Sequence, residues 1–365
     1  MQPTSSSSHA AAPDACLTYP LADALPDLGT TLEVAPGVRW VRMALPFALD
    51  HVNLWLLRDE LDGQAGWTIV DCGIANDDTR AAWEQIFANE LQGLPVLRVI
   101  ATHLHPDHIG NATWLTQRWS QAGRDCRLWA SAGDFFCGHF LLNRSGAFGG
   151  ERSAAFFRAH GLTDPGSIEK IRQRGNYYGS MVPELPTSFA RLTAGQRLRI
   201  GGHDWVCIEG RGHSPEHISL HSPSLGVLIS GDMLLPRIST NVSVSDLEPE
   251  ADPLRQYLEA LAHLRSLPAD TLVLPSHGKP FVGVHERIAH LVAHHDERLA
   301  DTLAACRAAP TSAADLLPVL FKRALDLHQT TFAMGEAVAH LHRLWFAGQL
   351  SRQQDADGVW RFSVR

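Results

Sequence analysis

Apolar and polar positions alternate along the first half of the chain in short runs that read as strands. Val38 to Met43 (Val-Arg-Trp-Val-Arg-Met) alternates as a half-buried strand does. Val52 to Leu57 and Trp67 to Val70 read as further strands, joined by a polar turn from Asp59 to Gly66. Asn76, Asp77 and Asp78 cap and open a helix that runs through Trp83 and Ile86. Val96 to Ile100 is a β-branched run of the buried-strand kind, and beyond Thr102 the apolar residues Ile109, Ala112, Leu115 and Trp119 recur at helical spacing. Leu198 to Ile200 and Trp205 to Ile208 flank Gly201-Gly202, and Ile218 to Leu220 and Val227 to Ile229 flank Pro223 to Gly226; both read as hairpins. Leu254, Leu258, Leu261 and Leu264 mark a helix, followed by a strand from Thr271 to Leu274. Hairpins and crossovers together predict a layered α/β (α+β) domain.

Two departures from this pattern divide the chain. Asp134 to Ser188 is rich in Phe, Arg and Gly and helical in character, an expected insertion or lid over a site (134–188). After His285 the chain becomes Ala-, Leu- and His-rich and helical, ending in Trp360-Arg361-Phe362. The expected organisation is a small, polar, flexible leader (1–28), a main domain (29–285) and a C-terminal helical domain (286–365). Apolar residues at 45% and charged residues at 19% place the chain among ordinary globular proteins. A net charge of −8 provides no global basic field, which disfavours nucleic acid as a partner. None of the six cysteines forms a CxxC pair, so free thiols and a cytoplasmic location are expected. The N-terminus lacks the basic start and apolar run of a secretory signal, and no stretch is long and apolar enough to span a bilayer.

The chemistry concentrates in Thr102-His103-Leu104-His105-Pro106-Asp107-His108. Residues two apart in an extended segment point the same way, so His103 and His105 can reach one metal together. Asp107 and His108 lie where the chain turns into the helix and can face a second metal. Neutral imidazole suits zinc, and a carboxylate adds compensating charge.

His-x-His-x-Asp-His after a buried strand resembles the signature of the metallo-β-lactamase superfamily. The resemblance continues in order through Val70-Asp71-Cys72-Gly73, Gly212-His213-Ser214-Pro215-Glu216-His217 (with Glu216 where the family usually has Gly), Ser230-Gly231-Asp232 and Pro275-Ser276-His277-Gly278. It implies a four-layer αβ/βα sandwich. It also implies two divalent metal ions, zinc first, with iron or manganese as alternatives. His103, His105 and His213 would hold one ion, Asp107, His108 and His277 the other, and Asp232 would bridge them. The family pattern places a hydroxide between the ions, and Asp107 could orient it. Asp71, the second catalytic candidate, would sit near the site and orient a ligand rather than bind metal. His217 is expected to hydrogen-bond. His294, His295, His340 and His342, in helical surroundings, are expected to be surface or packing residues.

Ala337 to Leu344, Gly348-Gln349-Leu350 and Asp357 to Trp360 resemble the winged-helix extension of certain β-lactamase-like hydrolases. Every motif ligand precedes residue 286, so this extension is expected to serve substrate fit or assembly, a homodimer included. The implied function is hydrolysis of an ester, thioester or lactone of small-molecule size. The alternatives are an RNA or DNA phosphodiesterase and a mononuclear-iron persulfide dioxygenase. Flavin-linked di-iron members usually carry Glu where this chain has His105, which argues against that branch. Arg144, Arg152, Tyr177, Tyr178 and Arg237 could meet an anionic or acyl-bearing substrate, though a solvated lid face is the favoured reading for most of them.

Overall fold

The computed structural model describes residues 16–144 and 149–365. Its first sheet has seven strands in chain order: β1 (Leu32–Ala35), β2 (Val38–Ala44), β3 (His51–Leu61), β4 (Gln64–Val70), β5 (Val96–Ile100), β6 (Arg127–Ser131) and β7 (Ala190–Leu192). Helices α1 (Asp77–Asn89), α2 (Pro106–Ile109), α3 (Ala112–Trp119), α4 (Ala132–Asn143), α5 (Gly150–Ala159), α6 (Pro165–Gln173) and α7 (Tyr177–Met181) lie within this half of the chain. The second sheet has six strands: β8 (Arg197–Ile200), β9 (His203–Gly210), β10 (His217–Ser222), β11 (Val227–Gly231), β12 (Leu272–Pro275) and β13 (Phe281–Val282). Helix α8 (Pro253–Leu264) crosses between β11 and β12, which pair in parallel. The chain ends with α9 (Val284–Ala308), α10 (Ala313–Leu320), α11 (Leu327–Phe346) and the hairpin β14 (Leu350–Gln354) and β15 (Trp360–Val364).

Three large apolar clusters of buried side chains define the architecture, with a small fourth of Ala154, Ile168 and Ile171 in the helical insertion. Trp40, Trp55, Val70 and Ile100 from the first sheet meet Trp205, Ile218, Leu220 and Ile229 from the second, forming the interior between sheets. The outer face of the first sheet packs Leu54, Ile69 and Val99 against Trp83 and Ile86 of α1, Leu115 of α3 and Phe135 of α4. The outer face of the second sheet packs Leu228 and Val273 against Leu254 and Leu261 of α8, Ile288 of α9 and Val338 of α11. Helix, sheet, sheet, helix is the expected four-layer order. Of the helical histidines, His295, His340 and His342 are buried in packing positions.

Local sequence explains most of the elements. Asn76 caps α1, its side chain accepting from Thr79 N at 2.7 Å. The turn expected between Asp59 and Gly66 is shorter than read: β3 and β4 continue toward each other and close on Asp62-Gly63 alone. Both residues have positive φ (53° and 78°), the backbone of a tight Asp-Gly hairpin. The expected leader (1–28) is in part built into the fold. Residues 1–15 lie outside the described residues, but Leu17 is buried and Thr18 pairs with Val282 on β13. Among its described residues, the 134–188 segment is mostly helical, from α4 to α7. Its α4 and α7 pack on the first sheet's outer layer, whereas Phe156 of α5 packs into the layer shared with the C-terminal helices.

One ion pair ties the two sheets together. Asp59 on β3 accepts from Arg98 Nε and Nη2 at 3.0 and 2.7 Å and from Thr68 Oγ1 at 2.6 Å. Arg98 also donates to the carbonyl of Arg199 on β8 at 2.8 Å. Both ionic groups are almost fully buried. Removing one partner of such a pair leaves the other charge uncompensated, at about 3–5 kcal/mol. Arg98→Met is expected to destabilise the fold by about that amount, and the double replacement Asp59→Leu/Arg98→Met by clearly less. Urea unfolding of the three proteins measures this; equal losses in the single and double variants would refute the account.

Candidate metal centre

The candidate ligands sit just past strand ends, five in loops and two in the first turn of a helix, and local backbone chemistry fixes each segment. Past β5, His105 is the residue before α2 and Pro106 opens the helix, which puts Asp107 and His108 in its first turn. His213 follows β9, Asp232 follows β11 and His277 follows β12. Gly231 must be glycine: its φ is +53°, and a Cβ there would lie 2.2 Å from His217 Nε2.

The structure brings all seven predicted ligands together as two adjoining groups. In the first, His103 Nε2, His105 Nδ1 and His213 Nε2 stand 2.9, 3.0 and 3.2 Å from one another. Three nitrogens bound to a tetrahedral zinc at about 2.0–2.1 Å would be roughly 3.3 Å apart. In the second group, Asp107 Oδ2 lies 3.5 Å from both His108 Nε2 and His277 Nε2. Asp232 faces both groups. Its Oδ2 is 3.2 Å from His213 Nε2, and its Oδ1 is 3.5 Å from His108 Nε2 and 3.4 Å from His277 Nε2.

The outer nitrogens fix which lone pairs point inward. His213 Nδ1 donates to the carbonyl of Asn241, His277 Nδ1 to that of His51, and His108 Nδ1 to Asp71 Oδ2, each at 2.8 Å. A carbonyl or carboxylate only accepts, so in the neutral ring each Nε2 carries a bare lone pair. For His108 and His277, burial is outweighed by the facing carboxylates, which raise the imidazole above its ordinary range, so a cation that binds there displaces a proton. Thr102 Oγ1 donates to Asp71 Oδ2 at 2.9 Å and so accepts from His103 Nδ1 at 3.0 Å, which bares His103 Nε2 as well. His108 Nε2 and Asp232 Oδ1 are buried with no hydrogen-bond partner. Buried polar atoms are normally partnered. Convergent imidazole nitrogens and carboxylate oxygens suit a cation, and the donor set fits divalent metals.

Charge and burial poise the groups for that role. Burial, reinforced by the neighbouring imidazoles, holds His103 well below the ordinary histidine range and His105 at about 3, so both are neutral. Burial alone would raise Asp107, but His108 and His277 outweigh it and bring the carboxyl to about 2. The same balance, led on the lowering side by His277 and His108, keeps Asp232 well below the usual carboxylate range. Asp71 does not face the ligand groups. It is fully buried at φ +64°, and its Oδ1 accepts from Thr102 N at 2.7 Å. His217 Nε2 accepts from Asp232 N at 3.2 Å, the hydrogen-bonding position expected of it.

The substrate-facing candidates divide. Arg144 is committed to Asp246 at 2.6 Å and Tyr178 is buried, its hydroxyl donating to the carbonyl of Leu104 at 2.8 Å. Tyr177 is half-buried, and Arg237 is exposed. Several supporting residues escaped the sequence reading. Asn53 Nδ2 donates to Pro275 O and Gly278 O, both at 2.8 Å, gripping the His277 loop. Asp134 accepts from the backbone N of Leu104 and of Glu216 at 2.9 and 2.7 Å. Glu216, at the position where glycine is usual, accepts from Gly133 N at 2.7 Å and so caps the first turn of α4. The signal available for Asn53 was a polar residue inside an apolar strand run; Asp134 gave none.

Comparison with known proteins agrees with this geometry. Residues 48–277 match the metallo-beta-lactamase superfamily, and residues 299–365 match the metallo-beta-lactamase-like C-terminal domain. A crystal structure of a beta-lactamase domain protein from Burkholderia ambifaria is 55% identical and covers 97% of this chain and 99% of its own, with a TM-score of 0.91. A probable metallo-hydrolase (YqjP) of Bacillus subtilis (strain 168) is 25% identical over 82% of this chain and 90% of its own length. A hydroxyacylglutathione hydrolase of Xanthomonas axonopodis pv. citri (strain 306) is 27% identical over 64% of each chain. The chain belongs to the metallo-β-lactamase superfamily and is a metallo-hydrolase of it.

Proposed function

We propose that this protein hydrolyses an acyl substrate, a thioester before an ester or lactone, with two divalent cations, most simply zinc, held by His103, His105 and His213 and by Asp107, His108 and His277. The observation that carries this reading is the splitting of the Asp232 carboxylate, one oxygen toward each group. A single-metal oxygenase has no use for a second group of Asp107, His108 and His277 across a shared carboxylate. The relative named hydroxyacylglutathione hydrolase supports the thioester, since an acylglutathione is one.

Cations bound here would lower the pKa of a bound water to about 7 and polarise the acyl carbonyl. The rest is the work of the chain. Asp107, ionised and half-open to the site, can accept a proton from the attacking water and orient it. Asp71 holds His108 directly and His103 through Thr102, so that neither imidazole turns or changes tautomer. The terminal region, three helices and a hairpin, has the element order of a winged helix. We assign it to shaping the site, because Arg287 on α9 donates to the carbonyls of Leu235 (Nε) and Ile238 (Nη2, at 2.7 Å) in the loop after Asp232. A reducing, cytoplasmic setting fits six cysteines with no disulfide among them.

Elemental analysis after zinc reconstitution is expected to give two ions per chain, with turnover of acyl thioesters. A ratio that stays near one with zinc, iron and manganese, together with oxygen uptake on a persulfide, would replace this reading with a dioxygenase. Asp232→Asn is expected to keep its circular dichroism spectrum while losing at least one ion and at least about 100-fold in turnover; full activity would refute the shared carboxylate. Asp71→Asn presents an amide where three donors now meet a carboxylate. It is expected to weaken metal binding and activity about 10–100-fold without removing a ligand, and unchanged zinc affinity in a chelator competition would rule out its positioning role.

A further inference from the structure

Helix α11 begins with two aromatic rings that join three separate parts of the chain. His328 stacks on Phe47 (centroids 6.4 Å apart, planes 16° apart) and meets Tyr177 and Phe332 edge-on at 5.8 and 5.0 Å. Phe47 belongs to the β2–β3 connection, Tyr177 to α7 of the helical insertion, and His328 and Phe332 to the C-terminal region. Each contributor is tied to a different ligand loop. Phe47 lies four residues before His51, within roughly 14 Å of chain. The His51 carbonyl accepts from His277, and its Nε2 accepts from Gly278 N at 2.8 Å. Tyr177 adjoins Tyr178, whose hydroxyl holds the Leu104 carbonyl between His103 and His105. The carbonyl of Phe332 accepts from Ser243 Oγ at 3.5 Å; that hydroxyl also reaches Asn241 Oδ1 at 2.8 Å, and the Asn241 carbonyl accepts from His213.

Phe47, Tyr177 and Phe332 therefore gather around His328, each linked through chain or hydrogen bonds to the loop of a different ligand, and they do so half in solvent. Phe47 and Phe332 keep 40% and 48% of their surface exposed, and Ile238, between Asp232 and Asn241, keeps 45%. Large apolar side chains gathered at the rim of a polar site are a binding feature rather than unfinished core.

We propose that this aromatic collar binds the apolar, non-reacting part of the substrate, an acyl chain of medium length, with His328 and Phe332 as its specificity-determining residues. The proposal rests on the hydrolase reading above and deepens it. A C-terminal region that contains no metal ligand thereby selects the acyl group.

The test uses the zinc-loaded full chain and N-acetylcysteamine thioesters with acetyl, hexanoyl and decanoyl groups. Burial of each methylene contributes up to about fourfold in kcat/KM. Wild type is expected to favour decanoyl over acetyl by at least about tenfold. In His328→Ala and Phe332→Ala that ratio is expected to fall below about threefold with zinc content unchanged, while Phe346→Ala, at the exposed far end of α11, keeps the wild-type ratio. A wild-type enzyme that prefers acetyl, or variants that keep its chain-length ratio, would overturn the proposal. Calorimetric binding of decanoate, with acetate for comparison, reads the collar without turnover. Decanoate binding that weakens at least about tenfold in both variants supports the collar even if no thioester is cleaved, in which case only the hydrolase reading fails. Decanoate binding that neither variant weakens overturns the collar whatever the catalytic result.

Discussion

The buried carboxylate of Asp71 is the acceptor on which both ligand groups depend. Three donors converge on it: Thr102 N, Thr102 Oγ1 and His108 Nδ1. One contact orients a residue of the second group. The other two fix the loop that carries His103 and His105, and through the threonine hydroxyl they set the tautomer of His103. To stand there, Asp71 adopts a left-handed backbone at the end of β4, a conformation that aspartate tolerates better than most residues. Its own amide donates to Ile100 at 2.8 Å, joining the end of β4 to the end of β5. The first sheet thus delivers its ligands as one rigid piece, and the loops of the second sheet close against it.

Closure from the second sheet depends on parts of the chain without ligands. Arg287 is almost fully buried, and its guanidinium donates into the loop after Asp232. Val244 N donates to Gly335 O on α11 at 3.1 Å, and a Cβ on Gly335 would meet the Ser243 side chain at 2.8 Å. These contacts make the stretch from Asp232 to Asp252 a wall between the site and the terminal helices. A division of labour in which the main domain binds metal and the terminal region serves only assembly does not describe such packing. The terminal helices set the backbone that carries Asp232 and the carbonyl that orients His213.

Where periodicity and turn chemistry act locally, the sequence was a good guide. The alternation in Val38 to Met43, the Asn76 cap, the β5 run and both glycine or proline-glycine hairpins appear where the pattern put them. The candidate metal cluster was legible because His103, His105, Asp107 and His108 are close in sequence and the remaining candidate ligands stand in recognisable short motifs. What stayed hidden depends on contacts between residues far apart. Asp59 reads as a turn residue until Arg98, 39 positions away, is seen beside it. Arg144 reads as a substrate-facing cation until Asp246 claims it. The aromatic collar leaves no signature at all, since Phe47, Tyr177 and His328 meet only through the tertiary fold.

The same long-range contacts explain how a site this repulsive can be held ready. Imidazole lone pairs of the first group about 3 Å apart, and a buried Asp232 oxygen with no hydrogen-bond partner, work against compact packing. Each must be restrained from outside, and the restraints are those already named: Asp71 for His108 and His103, Asn241 for His213, His51 and Asn53 for His277, and Asp134 for the backbone between His103 and His105. Every one of these acts on the far side of a ligand, leaving its inner face unpartnered. A cation that enters relieves the repulsion without rebuilding the loops, so its binding free energy adds to the stability of the folded chain rather than being consumed in ordering it. The open inner face is therefore the counterpart of outer-side hydrogen bonds on His103, His108, His213 and His277, and a scaffold of two sheets braced by terminal helices sustains the difference.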